Sequence, residues 1–273
     1  MITQQDHALL AGELARHLGG IVQPLAPPTV EAIAQHDCGW PGGHDDAPAL
    51  NDAGQPLDVF ESGLEMGLRI WRESSRRAAE ALGPRGGLLV SLHSLSLSAH
   101  AAARLLNPRP ASPVDLKAQF EVNKFQHAEI ELQESCRRQL GLRIDAPLTL
   151  GLAEDSLDPA EQQLAYDFRW LQAMDQLSLD LCCTHPPFPS IAHVARSPGG
   201  SALHLTVTRS GMASACVSPW PFLSPRLAVT APFRRLPDRP IASVEHFRRV
   251  YASTRPESAI FTLEPPGPLA AIA

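Results

Sequence analysis

Only 5% of the 273 residues are aromatic, and Lys plus Arg (23) fall short of Asp plus Glu (29), for a formal charge of −6. A dedicated nucleic-acid binder carries a basic excess, so no extended nucleic-acid surface is expected. No apolar run approaches the roughly 20 residues that cross a bilayer, so no membrane partner is expected either. The opening Met1–Asp6 is polar and lacks the basic-then-apolar layout of a secretory signal. The five cysteines are odd in number and form no C-x-x-C pair, which argues against a zinc ribbon or disulfide scaffold. A reduced, cytoplasmic protein fits them best. No GxGxxG, Walker loop, HExxH or GxSxG is present, so the common nucleotide-binding, zinc-protease and serine-hydrolase signatures are missing. What the chain holds in number is 11 histidines and 26 prolines.

The first two-thirds read as helical. From Thr3 to Leu18 apolar residues recur at helical spacing until Gly19-Gly20 stop them. Thr29 reads as an N-cap, without the Glu of a capping box, for a short helix ending near Cys38-Gly39. Val30, Ile33, Ala34 and Asp37 would share one face of it, and Gly39 could serve as a left-handed cap. Gly39–Leu57 is a Gly- and Pro-rich loop long enough to suggest a functional role. Helices are expected over Glu61–Leu82, Leu88–Leu106 and Asp115–Leu140, the first two separated by Gly83-Pro84-Arg85-Gly86-Gly87. Asp158-Pro159-Ala160-Glu161 opens another, running to about Cys183 before Pro186-Pro187. Strand texture follows at Ala202–Thr208, Arg226–Thr230 and Ala259–Leu263, with a short helix at Ala242–Tyr251.

The chemistry concentrates on residues that interrupt apolar stripes. His7 shares a stripe with Leu10, Ala11, Leu14 and Leu18. Asp37, beside His36, follows Ile33 and Ala34. Phe168, Leu171, Asp175, Leu179 and Cys182 follow one another at steps of three and four. Buried carboxylates and imidazoles need partners or a metal, because desolvating an unpaired charge costs several kcal/mol. Each residue alone also has an ordinary reading, a core histidine on a carbonyl or an aspartate capping a neighbour. Helices that each turn a ligand inward are a recurrent way to hold metal.

This ordered set, His then His-Asp then a distant Asp, resembles the HD-domain metal-dependent hydrolase superfamily. DHALLAGELARHLGG and VEAIAQHDCGW resemble its first ligand helices, and AMDQLSLDLCC its final Asp helix. The chain resembles still more closely the bacterial DUF3891 family of unknown function. The matching motifs lie at Ile2–Ala15, His36–Trp40, Leu88–His93, Met174–Cys182 and Pro219–Phe222. The HD resemblance implies that His7, His36, Asp37 and Asp175 bind one or two divalent transition ions, with His93 as donor to a second ion. His127 is a weaker donor candidate. Imidazole and carboxylate suit Fe, Mn, Zn or Ni. Asp37 could orient the attacking water, His44 is a candidate general acid, and Trp40 could wall the site. Arg69, Arg72, Arg76 and Arg77 could serve a phosphate, against the simpler reading of a solvated helix face.

The expected fold is therefore mainly α: an HD-like helical bundle over residues 1–184, with a small β-containing extension over 185–273 packed on it. The expected function is metal-dependent hydrolysis of a small-molecule phosphoester or nucleotide through metal-bound hydroxide. A di-iron oxygenase and a non-catalytic metal-containing module are the alternatives.

Overall fold

A computed structural model describes residues 1–40, 50–58, 61–105, 113–144, 157–183 and 190–267. Among these lie six helices: α1 (Gln4–Arg16), α2 (Pro27–Ala34), α3 (Leu64–Leu105), α4 (Pro113–Leu140), α5 (Pro159–Cys182) and α6 (Val244–Ser253). Five strands accompany them: β1 (Ser190–Ala195), β2 (Ala202–Gly211), β3 (Ser214–Ser218), β4 (Leu227–Arg234) and β5 (Pro256–Glu264). The sheet runs in the order β1-β2-β3-β5-β4. β1–β2 and β2–β3 pair antiparallel, whereas β3 and β5 pair parallel. The architecture is thus α/β with a sizeable mixed sheet, which corrects the expectation of a mainly α bundle with a small β extension. The correction comes chiefly from β1 and β3. The latter reads SACVS, small residues that pair through their backbone and carry little strand signal in their side chains.

The chain forms two compact units, each assembled from separate segments. The first comprises Met1–Gln5, Gln35–Ile144 and Pro232–Glu257; the second comprises Asp6–Ala34, Asp145–Ala231 and Ser258–Ala273.

In the first unit α3 folds back on itself. The helix breaks at one residue, Gly83, with φ 72° and ψ −170°, rather than over the whole 83–87 run. Only glycine adopts that backbone without strain, and Pro84 then restarts the helix where its missing N–H costs nothing. The two halves lie close enough that Ser75 donates to the Ser94 hydroxyl at 3.0 Å and Ser94 donates to the Trp71 carbonyl at 3.1 Å. α4 packs on this hairpin through Val122 and Phe125, against Leu68 with Leu64 and Trp71. A smaller cluster of Ile241, Phe247 and Tyr251 holds α6.

In the second unit α1 buries Leu10, Ala11 and Leu14 on one stripe, as its periodicity predicts. Thr29 does not cap α2. The helix begins two residues earlier at Pro27-Pro28, and the Thr29 hydroxyl donates at 2.9 Å to Asp167, which is fully buried on α5. α5 opens on the expected cap: Asp158 Oδ1 accepts from the Ala160 and Glu161 amides at 3.0 Å, with Pro159 following. Trp170 of α5 donates its indole N–H to the Ala195 carbonyl of β1 at 3.2 Å. Strand burial alternates, with Leu203 and Leu205 of β2 and Leu227, Val229 and Ala231 of β4 facing inward. The Pro219–Phe222 segment anchors the chain after α1: Gly19 donates to the Pro221 carbonyl, Leu223 donates to that of His17, and Leu18 bridges Phe222.

Candidate metal centre

Each unit carries its own histidine–aspartate set. In the first unit, His36 and Asp37 sit in a turn. The helix stripe expected to carry Asp37 ends at Ala34. Beyond it the amides of Cys38 and Trp40 close onto the carbonyls of Gln35 and Asp37, three residues back, at 3.0 Å. The turn is pinned to the first half of α3. Gly39 donates to the Ser74 hydroxyl at 2.9 Å, and Arg77 donates to the Cys38 carbonyl at 2.9 Å. A Cβ on Gly39 would stand 2.2 Å from the Ile70 carbonyl oxygen and 2.4 Å from the Ser74 amide. Gly39 is thus required by close backbone approach, not by the left-handed cap that its position suggests.

This anchoring leaves the His36 Nε2 3.7 Å from Asp37 Oδ2. From the second half of α3, the His93 ring meets that of His36 edge-on, with centroids 5.2 Å apart and planes at 89°. His36, Asp37 and His93 are all buried.

In the second unit, His7 comes from α1 and Asp175 from α5. His7 Nε2 lies 3.6 Å from Asp175 Oδ1, with the histidine buried and the aspartate 15% exposed. Its other ring nitrogen, Nδ1, is 2.7 Å from the Ser178 hydroxyl oxygen. Ser178, one helical turn beyond Asp175, also contacts the Asp175 backbone carbonyl at 2.8 Å.

Buried His and Asp groups drawn from these five residues could hold a metal ion. The donor chemistry fits a divalent transition ion, since imidazole nitrogen and carboxylate oxygen suit Zn, Fe, Mn or Ni. Two such donors about 2.1 Å from one ion stand roughly 3.0–3.5 Å apart in octahedral or tetrahedral geometry. Spacings of 3.6 and 3.7 Å are close to that range. They exceed the reach of a good N–H···O bond.

The remaining expected residues fall elsewhere. His44 lies outside the described residues. His127 is 77% exposed, beside Glu131 at 3.4 Å on the solvent face of α4. Trp40 is half-buried at the end of the His36–Asp37 turn. Arg69 and Arg72 are exposed. Arg76 binds Glu73 and Glu80, and Arg77 binds Glu73. Hydrogen bonds from Arg76 and then Arg77 hold the Glu73 carboxyl down to about 2. This helix face carries a surface ion-pair network.

Two groups were not singled out by the sequence reading. Ser178 is one; its signal was the i, i+3 spacing in Asp175-Gln176-Leu177-Ser178. Glu129 is the other, on a buried stripe of α4 that continues through Gln133 and Arg137 at four-residue steps. Ser91 donates to Glu129 Oε2 at 2.6 Å, and burial pushes the Glu129 carboxyl up to about 6.

No helix among the described residues is long and apolar enough to cross a membrane. Comparison with curated proteins and with solved structures returns no match. The family described as "Protein of unknown function (DUF3891)" matches residues 1–238, and the chain belongs to it.

Proposed function

We propose that the chain is a metal-dependent hydrolase acting on a small-molecule phosphoester or nucleotide, and that its His–Asp sets hold one divalent transition ion or two. The observation that carries the reading is the repeated donor spacing: in each unit a histidine Nε2 and an aspartate oxygen stand 3.6 or 3.7 Å apart, with the histidine buried. His7 and Asp175 are the donors from the second unit, and His36 and Asp37 those from the first. His93, edge-on to His36, is the donor that a second ion would recruit.

The reaction class is drawn from the resemblance to HD-domain hydrolases, which is an argument by analogy. A bound divalent ion with an open position lowers the pKa of water toward about 7 and so supplies hydroxide at neutral pH. Asp37 has a second carboxylate oxygen beyond the one facing His36, and through it would orient the attacking water. Free thiols at all five cysteines support a reducing, cytoplasmic setting.

The test is turnover of a panel of chromogenic phosphoesters and nucleotides by the full chain loaded with Mn²⁺ or Zn²⁺, with and without oxygen. Hydrolysis that proceeds anaerobically, and falls on the order of 100-fold in Asp37→Ala, supports the proposal. Iron-dependent oxygen uptake without hydrolysis would replace it with the oxygenase alternative. Tight metal binding without any turnover would leave a binding or regulatory module.

A further inference from the structure

We infer that Ser178 is a positioning residue that fixes the tautomer of His7 and presents the His7 Nε2 lone pair beside the Asp175 carboxylate. The inference rests on the reading of His7 and Asp175 as metal ligands, and adds a residue to which that reading gave no role.

The argument is a count of protons. The Ser178 hydroxyl has one hydrogen and two close partners, His7 Nδ1 at 2.7 Å and the Asp175 backbone carbonyl at 2.8 Å. A carbonyl oxygen can only accept, so for both short contacts to be hydrogen bonds Ser178 must donate to Asp175 O. Its oxygen then accepts, and the only hydrogen His7 can offer there is on Nδ1. With Nδ1 protonated in the neutral ring, Nε2 carries the lone pair.

The opposite assignment has Ser178 donate to Nδ1 while Nε2–H points at Asp175. It fails on geometry: the 2.8 Å contact between Ser178 Oγ and Asp175 O would become two acceptors pressed together. A lone pair facing a carboxylate oxygen 3.6 Å away is an arrangement that a cation between them satisfies. Histidine ligands are commonly oriented in this way by a partner on the ring nitrogen away from the metal.

The placement also explains why one side chain serves two donors. Ser178 is buried and lies three residues after Asp175 on α5, so its hydroxyl folds back on the backbone of that same turn. The ring of His7, arriving from α1, is thereby tied to the turn that bears Asp175.

The experiment reads ring-nitrogen ¹⁵N shifts of the metal-free full chain at about pH 8, above the ordinary imidazole range, with His7→Gln to assign the His7 signals. Wild type should show His7 as the Nδ1–H form, and Ser178→Ala should lose that preference. Titration of Zn²⁺ alone into both proteins should show affinity 10- to 100-fold weaker in Ser178→Ala, a range typical of such supporting partners. An Nε2–H signal in wild type overturns the inference, as does unchanged Zn²⁺ affinity in Ser178→Ala. If wild type binds no Zn²⁺ while the Nδ1–H form is present, the metal reading fails and the tautomer assignment stands. Because alanine favours a helix interior, Ser178→Ala should fold, and the wild-type spectrum is decisive without it.

Discussion

The two His–Asp sets reach nearly the same donor spacing by opposite local means. In the second unit both residues ride on helices: His7 on the buried stripe of α1 and Asp175 on α5, with a serine of the same turn holding the ring. In the first unit His36 and Asp37 sit in a turn whose shape is set by Gly39 pressing against the backbone of α3. Helical periodicity positions the first kind of ligand almost by itself. The second kind is positioned by tertiary contacts with α3, so it is more easily broken.

That difference can be broken most forcefully at Gly39. Alanine there places a Cβ within 2.4 Å of two backbone atoms that cannot rotate away. Gly39→Ala should cost about 3 kcal/mol. In thermal unfolding followed by circular dichroism this is a fall of roughly 6 °C or more. An unchanged transition would mean that the turn adapts freely and is not fixed by α3.

A smaller effect separates the polar interior of the first unit from its ligands. Glu129 has a carboxyl raised from 4.5 to about 6, chiefly by burial, with the hydrogen bond from Ser91 opposing the rise. Such a group leaves stability intact below its unfolded value and removes it as the pH rises through the folded one. Glu129→Gln should therefore match wild type near pH 4 and exceed it above pH 6. The gain should be about 2 kcal/mol, read by urea unfolding at the two pH values. A gain that appears at low pH instead would reverse the assignment of burial as the cause.

The smallest effect is expected at Gly83, which turns α3 back so that the half bearing His93 lies along the first half. A Cβ there meets nothing within 4 Å, so only the φ of +72° is at issue. Gly83→Ala should cost about 1 kcal/mol, the low end for a non-glycine residue in that backbone region. A loss as large as that of Gly39→Ala would show that the hairpin bend, and not the turn, limits the first unit.

How much of this was legible in the sequence follows the same division. The α1 stripe, the Asp158-Pro159 start of α5 and the break at Gly83 were readable because local rules decide them. β2, β4 and β5 were readable from their alternation. β1 and β3 were not, and with them the α/β class was missed. β3 is a five-residue run of mostly small side chains, made a strand by its neighbours on both sides. Thr29 looked like a cap because its type suits one, yet its hydroxyl serves the buried Asp167. Asp37 was placed on a helix face because its spacing continued the stripe, although the helix stops at Ala34. The role of Ser178 needed a distance to a residue 171 positions away, which no local pattern contains.

Elemental analysis of the full chain, purified without chelator or histidine tag, tests the central claim most directly when wild type is compared with Asp37→Ala and Asp175→Ala. The account predicts one or two divalent transition ions per chain in wild type, with stoichiometry reduced in both variants. Wild type without such an ion, or variants with unchanged content, would contradict it.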